Sequence, residues 1–252
     1  MSAPSPLHVA IALLLVAGSA GLLAGCSGET HVEVLASNHH QARGNAWPLE
    51  RDAFLQLANT GIQPGWHIVV SPISERSFAL QALYDEALPA YSFVGTNFYQ
   101  QDLAKKKGQA DVKKALAVLD ANRAGSDRTE IIAAIGSAAK RFGGDKGSSK
   151  KILVILSSGF EQSSVINMAD YHLDLNEATA KHIVEHLQQL GTMPQLSGVD
   201  VCMAGITAGD HQWADQKRLV NIEHFWELFF TSAGANLVWY EPTLKGCPAL
   251  PR

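Results

Sequence analysis

Two histidines one helical turn apart have the clearest metal-ligand spacing in this sequence. His182 and His186 stand in the run His-Ile-Val-Glu-His, and side chains at positions i and i+4 share one face of a helix. Imidazole nitrogens at that spacing can bind zinc, but a zinc site needs a third protein ligand. Glu223 and Glu227 have the wrong spacing to supply it, so the pattern favours an exposed pair of histidines.

Asp170, His172 and Asp174 lie close together in a loop after a predicted strand. Such a cluster can hold a metal, but it is more often a solvated turn. Trp213 lies in a polar loop with Asp210, His211 and Asp215, and an exposed tryptophan beside a binding edge is typical of protein–protein contacts. The sequence has neither a Gly-x-Ser-x-Gly motif nor a glycine-rich phosphate loop after its first predicted strand, so no catalytic set is predicted.

These side chains must be positioned by alternating strands and helices. Short apolar runs predict strands at 66–70, 151–156, 199–206 and 237–240, with 91–94 as a further candidate. Helical patterns, most of them ended by glycine or proline, fall at 49–58, 77–88, 101–122, 129–142, 177–190 and 222–233. The alternation predicts a three-layer, doubly wound α/β fold with a mostly parallel sheet. The role of residues 91–122 stays open.

Residues 65–242 also follow a specific order of strands and polar loops. A strand with a serine-rich loop, a helix led by Thr129, and the segment Lys-Ile-Leu-Val-Ile-Leu-Ser-Ser-Gly succeed one another. With the later segments Val-Asp-Val-Cys-Met-Ala-Gly-Ile and Ala-Gly-Ala-Asn-Leu-Val-Trp-Tyr, this order resembles the von Willebrand factor A domain. The resemblance implies an α/β fold whose site is formed by three loops at the carboxyl ends of the strands.

In that family the three loops bind Mg²⁺ through Asp-x-Ser-x-Ser, a threonine and an aspartate. The resemblance therefore implies a rim for a partner or a metal, formed by Ser71, Ser74, Ser77, Asp127, Thr129, Ser157, Ser158 and Glu161. Both family aspartates are missing, and Mg²⁺ needs carboxylates to offset its dehydration, so hydroxyls alone predict weak binding. Glu75, Asp127 and Glu161 are the carboxylates that could replace them. The alternative is that the serines cap helices and fill turns.

The N-terminal segment has the features of an export signal. The apolar run from Leu7 to Leu23 contains no Asp, Glu, Lys or Arg, and it is shorter than the ~20 residues of a membrane-spanning helix. Leu-Ala-Gly-Cys at 23–26 resembles the lipobox of bacterial lipoproteins. The resemblance implies a signal peptide at 1–25 and acylation of Cys26, with palmitate among the acyl chains, at the periplasmic face of the cell envelope.

The domain organisation follows from this cleavage position. By the same resemblance to bacterial lipoproteins, Ser27, the residue after the acylated cysteine, implies the outer membrane and not the inner membrane. Residues 26–48 are interpreted as the lipidated N-terminus and a polar tether, and residues 49–252 as a single domain. Cys202 and Cys247 are a candidate disulfide in an oxidising compartment. They pair only if the C-terminal tail folds back along the sheet, since a disulfide needs Cα atoms within ~7 Å.

The net charge of −4 is modest and the sequence has no basic stripe, so no nucleic-acid partner is predicted. The sequence thus predicts a membrane-tethered scaffold module that binds an envelope protein through the rim, with a divalent cation such as Mg²⁺ as the one candidate cofactor. Two alternatives stay open. One is a metal-assisted hydrolase, and the other is a periplasmic small-molecule binder with a large apolar cleft.

Overall fold

The structure is a computed structural model that describes most of the chain after residue 28. Its described residues are 29–37, 46–75, 77, 81–89, 98–121, 128–208, 211 and 213–251. Cys26, Asp127, Asp210 and the candidate strand at 91–94 lie outside these ranges. Within them, no helix is both long enough and apolar enough to cross a membrane.

A six-stranded sheet forms the centre of the fold. Its strands are β1 (Thr30–Ser37), β2 (Trp66–Ile73), β3 (Tyr84–Ala87), β4 (Lys150–Leu156), β5 (Val199–Ala204) and β6 (Asn236–Glu241). The order across the sheet is β3-β2-β1-β4-β5-β6, and all neighbours are parallel except β2 and β3. Doubly wound Rossmann-like folds have this strand order. The predicted α/β class with a mostly parallel sheet is therefore confirmed.

Helices cover both faces of the sheet. On one face lie α1 (Ala46–Gln56), which continues into a π-helical turn at Leu57–Gly61, and α2 (Phe98–Ala121). On the other face lie α3 (Ile131–Gly144), α4 (Glu177–Gln189) and α5 (Gln216–Ala233). Because successive side chains of a strand point to opposite faces, β1 places Val34 against the first set of helices and Leu35 against the second.

The predicted tether at 26–48 is wrong for Thr30–Ser37, which form the central strand β1. This strand pairs with β2 on one side and β4 on the other, and every residue after Thr30 is buried. A buried parallel strand is normally a continuous apolar run. His31 and Glu33 interrupt that run, and their charges are neutralised by residues distant in the sequence. The domain therefore includes residues 30–37 and does not begin at residue 49.

Two helix predictions also need correction. The helix predicted at 77–88 is wrong over Tyr84–Ala87, which form β3 and pair antiparallel with β2 at the edge of the sheet. The helix predicted at 222–233 begins earlier, at Gln216, because Asp215 caps it by accepting a hydrogen bond from the backbone N–H of Arg218 at 2.8 Å.

Candidate functional site

The rim residues that the structure describes gather mainly at the carboxyl edge of the sheet. The backbone N–H of Glu130 donates to the carbonyl of Ser74 at 3.4 Å, which ties the loop before α3 to the end of β2. The N–H of Gln162 donates to the carbonyl of Thr129 at 2.9 Å, which ties the same loop to the segment after β4. The strand order reverses between β1 and β4, and ligands of doubly wound folds bind at such a reversal.

Most of these rim side chains are buried, which limits what they can contact. The exposed fraction is 8% for Ser74, 5% for Thr129, and 0% for Ser157 and Glu161. The hydroxyl of Ser77 accepts a hydrogen bond from the N–H of Ser74 at 2.9 Å and donates to its carbonyl at 2.8 Å. These buried side chains therefore stabilise the loops at the carboxyl edge of the sheet, which is the structural role of serines that fill turns. Among the described rim residues, Ser158 alone is partly exposed.

The first loop of the rim differs from the prediction in two ways. It follows the second strand of the chain and not the first, and it begins after Ser71. Ser71 was expected after the first strand of the domain, but the first strand is β1, and Ser71 lies inside β2. Its hydroxyl accepts a hydrogen bond from Nη2 of Arg141 at 3.2 Å, on the side of the sheet that α3 covers. Ser71 consequently belongs to a buried ionic network and not to the rim.

That network centres on Glu33, which has no exposed surface. Arg141 forms a bidentate pair with it, because Nε lies 2.7 Å from Oε1 and Nη2 lies 2.6 Å from Oε2. His31 lies between two carboxylates: Nε2 is 3.0 Å from Glu33 Oε1, and Nδ1 is 2.8 Å from Asp145 Oδ2. Burial acts to lower the pKa of His31, but the hydrogen bonds and charges of Glu33 and Asp145 outweigh it and raise that pKa.

Glu161 is the one rim carboxylate whose contacts are described. The backbone N–H of Ile132, in the first turn of α3, donates to Oε2 at 2.9 Å. Oε1 is buried without a hydrogen-bond partner among the described residues. Burial raises the pKa of this carboxyl to about 8, so the side chain carries a proton at neutral pH. A cation at this position would first have to displace that proton.

This carboxyl gives a testable pH dependence of stability. Below its ordinary pKa of 4.5, the carboxyl is protonated in both the folded and the unfolded chain. As the pH rises towards 8, the unfolded chain loses a proton that the folded chain keeps, so the contribution of Glu161 to stability falls. We expect a loss of about 1 kcal/mol per pH unit in this window and none above it. Urea denaturation between pH 5 and pH 9 measures it.

Glu161→Gln is the matched control, because the amide keeps an acceptor for Ile132 but does not titrate. All other titratable groups are the same in the two proteins, so the quantity that matters is the difference between the two curves of stability against pH. Parallel curves for the wild type and Glu161→Gln would contradict a raised pKa of Glu161.

The loop between β4 and α4, which begins with the rim residues Ser157, Ser158 and Glu161, is hydrogen-bonded to α5. The guanidinium of Arg218 donates to the carbonyls of Met168 at 3.1 Å and Asp170 at 3.2 Å, and also to the carbonyl of Leu173. The same guanidinium lies 5.5 Å from the centroid of the Trp213 ring. One buried arginine of α5 thus holds the backbone of this loop and also contacts an exposed aromatic ring.

Three apolar side chains of this region are exposed, and we name them the aromatic edge: Val165 at 39%, Tyr171 at 67% and Trp213 at 41%. The ring of Phe160, buried next to the rim, packs edge-on to Trp213 with centroids 6.4 Å apart. Tyr171 and Trp213 line a shallow groove of about 280 Å³. Trp213 is therefore exposed beside this groove, whereas Asp170 closes a turn by accepting the N–H of His172 at 2.9 Å.

The histidine pair His182 and His186 lies exposed on α4. Within the described ranges, the single group of three side chains close enough to share a metal lies elsewhere, and consists of His31, His67 and Asp145. The sequence did not indicate this group, because His31 fell in the predicted tether. The available signal was the alternation of polar and apolar residues in His-Val-Glu-Val at 31–34, which is typical of a strand.

The C-terminal tail folds back over the face covered by α1 and α2, where the structure joins Cys202 and Cys247 by a disulfide with Cα atoms 6.4 Å apart. Lys150 donates to the carbonyl of Ala249 at 2.9 Å and holds the tail nearer its end.

A cavity of about 400 Å³ lies between this tail and the π-helical turn at Leu57–Gly61. Its size is within the range of small-molecule sites.

The comparisons with known proteins show structural similarity to solved chains but do not assign this chain to a family. No protein-family model and no curated protein sequence matches this chain. The pilus adhesin SpaC from Lactobacillus rhamnosus GG, in its open conformation, is 11% identical with a TM-score of 0.46, over 85% of this chain and 28% of the adhesin. Proximal thread matrix protein 1 from the mussel byssus, with a zinc-occupied MIDAS motif, is 14% identical with a TM-score of 0.34, over 88% of this chain and 43% of that protein.

The human COPII-coat protein Sec24c is 7% identical with a TM-score of 0.38, and the match covers 87% of this chain and 30% of Sec24c. This chain therefore spans less than half of each of these three solved chains. Its own strand order and helix layers establish its fold class.

Proposed function

We propose that this chain is a lipid-anchored envelope protein that binds a protein partner through its aromatic edge. The observation that carries the proposal is the combination of exposed Tyr171 and Trp213 with the buried Arg218, which holds the loop of Tyr171 by hydrogen bonds and contacts the ring of Trp213. Tyrosine, tryptophan and arginine are the residues most enriched at the energetic centres of protein–protein interfaces. Acylation of Cys26, as the Leu-Ala-Gly-Cys segment implies, supplies the membrane anchor in this proposal.

The rigidity of the loop supports this assignment. Binding costs free energy when flexible side chains and loops must become ordered at the interface. Three backbone carbonyls of the loop already accept hydrogen bonds from Arg218. The indole N–H of buried Trp226 donates to the carbonyl of Gly159 at 2.9 Å, which fixes the start of the same loop. Tyr171 is thus presented on ordered backbone, and little further ordering accompanies binding.

The proposal moves the contact surface from the predicted rim to exposed residues that follow Glu161 in the same loop, together with Trp213. The buried serines and Glu161 hold the carboxyl edge together, and the exposed side chains that follow Glu161 make the contact. Arg128, exposed before α3, and the partly exposed Glu75 and Ser158 lie on the same side of the domain and give this surface a polar margin. A central apolar contact with a polar margin is the usual anatomy of an interface.

A cross-linking pull-down of the full, lipidated chain from solubilised membranes tests the proposal. We expect a protein partner that Tyr171→Ala or Trp213→Ala weakens by at least ~30-fold, the equivalent of about 2 kcal/mol for an interface hot spot. Tyr99→Ala is the matched control, because Tyr99 on α2 is 66% exposed and Tyr171 is 67% exposed. Equal recovery of the partner with Tyr171→Ala and Tyr99→Ala would exclude the aromatic edge.

Cys26→Ser separates the anchor from the binding surface in the same experiment. We expect this variant to leave the membrane fraction and to retain the partner in detergent, because the aromatic edge is intact. If Cys26→Ser stays in the membrane fraction with its N-terminal segment removed, the anchor is not the acylated cysteine.

A second candidate function, the binding of a small apolar molecule, is favoured by the 400 Å³ cavity. Leu57, Leu244 and Leu250 line it together with the disulfide residue Cys247. Native mass spectrometry of the same purified preparations would detect a co-purifying apolar ligand.

A further inference from the structure

The amino-terminal edge of the sheet, opposite the rim, brings together two histidines and an aspartate. His31 and His67 are the second residues of β1 and β2 and are paired in register, with ring centroids 4.6 Å apart. Asp145 follows α3 directly, and its Oδ2 lies 2.8 Å from Nδ1 of His31. Each of the three residues offers one ligand atom, and these three atoms lie within 4.8 Å of one another.

Each of these side chains is oriented by a second partner. Nε2 of His31 lies 3.0 Å from Glu33 Oε1, and Nε2 of His67 lies 2.7 Å from Asp85 Oδ1. Histidines that bind metals typically hold a carboxylate on their other ring nitrogen, which fixes the tautomer and the ring orientation. Oδ1 of Asp145 accepts the backbone N–H groups of Gly147 and Ser148 at 2.9 and 3.1 Å, so Oδ2 remains for the cluster.

We propose that His31, His67 and Asp145 bind one zinc ion, with water completing the coordination. Two imidazoles and one carboxylate are a donor set for zinc and related transition metals, whereas Mg²⁺ prefers oxygen ligands alone. Tetrahedral zinc with bonds of about 2.0–2.1 Å separates its ligand atoms by about 3.4 Å. His67 and Asp145 are partly exposed and can make the small movement that closes the trio.

The competing interpretation is a purely ionic cluster in which protonated His31 bridges Glu33 and Asp145. That cluster accounts for His31 but gives no role to His67, which lies against the His31 ring and has its own carboxylate partner. A metal accounts for both histidines, for the second partner of each, and for the direction of Oδ2 of Asp145 towards the His31 ring. The site is also distinct from the rim, since it lies at the other ends of the same strands.

Calorimetric titration of the EDTA-dialysed full chain in detergent with ZnSO₄ tests the proposal. We expect one equivalent of zinc to bind and His67→Gln to weaken binding at least ~100-fold, since it removes a ligand. Asp85→Asn, on the edge strand β3, should weaken it about 10-fold by loosening the orientation of His67. His67 and Asp85 are partly or fully exposed, and circular dichroism verifies that both variants are folded.

The paired substitution His182→Gln and His186→Gln on α4 is the matched control, because it removes two exposed histidines with metal-ligand spacing. The proposal expects unchanged zinc binding in this variant. It is overturned if the wild type binds no zinc, if His67→Gln binds as the wild type does, or if the α4 variant loses the ion.

Discussion

Arg141→Met is expected to lower the free energy of unfolding by about 3–5 kcal/mol, because it leaves a buried carboxylate without its main partner. Glu33 lies in the central strand with no exposed surface, and Arg141 contacts both of its oxygens, at 2.7 and 2.6 Å. Methionine fills a similar volume, so the change removes charge and hydrogen bonds more than packing. Urea denaturation at neutral pH, with the wild type as reference, measures the difference.

Arg51→Met is the matched control for this experiment. Arg51 pairs with Asp120 at 3.7 Å, but its side chain is 45% exposed, and water screens such pairs. We expect Arg51→Met to cost less than about 1 kcal/mol. Similar losses for Arg141→Met and Arg51→Met would show that Glu33 does not depend on Arg141. Combining Arg141→Met with Glu33→Gln should recover part of the loss, because the neutral amide has a smaller desolvation penalty.

The same network explains why the sequence predicted most of the sheet but not its central strand. β4 and β5 contain the apolar runs Ile-Leu-Val-Ile-Leu and Val-Cys-Met-Ala, so their composition alone indicates buried parallel strands. In β1, Glu33 is acceptable only because Arg141 reaches it from 108 residues further along the chain. The residues around Glu33 in the sequence do not include Arg141, so they cannot show that this charge is paired. A buried strand whose charge is paired with a distant residue therefore has the composition of a polar linker.

The candidate site shows the same limit at the carboxyl edge. The hydroxyl-rich loops were predictable, since Ser and Thr after strands indicate turns and helix starts. Which of their side chains face solvent was not predictable. Arg218 organises the loop from α5, and its partner carbonyl at Met168 lies 50 residues away in the sequence. The identity of the residue that supplies a carbonyl does not indicate which distant side chain binds it, so the sequence singled out Trp213 in this region but not Tyr171 or Val165.

Loss of the disulfide between Cys202 and Cys247 is expected to destabilise the protein by about 4 kcal/mol. The bridge closes a loop of 45 residues, and the chain-entropy cost that it removes from the unfolded state grows with the logarithm of loop length. The double substitution Cys202→Ala and Cys247→Ala removes the bridge without leaving a reactive thiol. Its free energy of unfolding should match that of the wild type kept reduced by dithiothreitol, measured with the same denaturant series.

Hydrogen exchange and recovery of the protein partner measure which part of the domain is affected when the disulfide is removed. The tail is held on the α1 and α2 face by Cys247 and by the contact of Lys150 with Ala249, so exchange should accelerate first in residues 242–251. The aromatic edge is organised by Arg218 on α5, on the other face of the sheet. The double variant should therefore keep its partner at temperatures where it is folded. If it loses the partner while Tyr171 and Trp213 are intact, the tail contributes to binding and the contact surface extends beyond the aromatic edge.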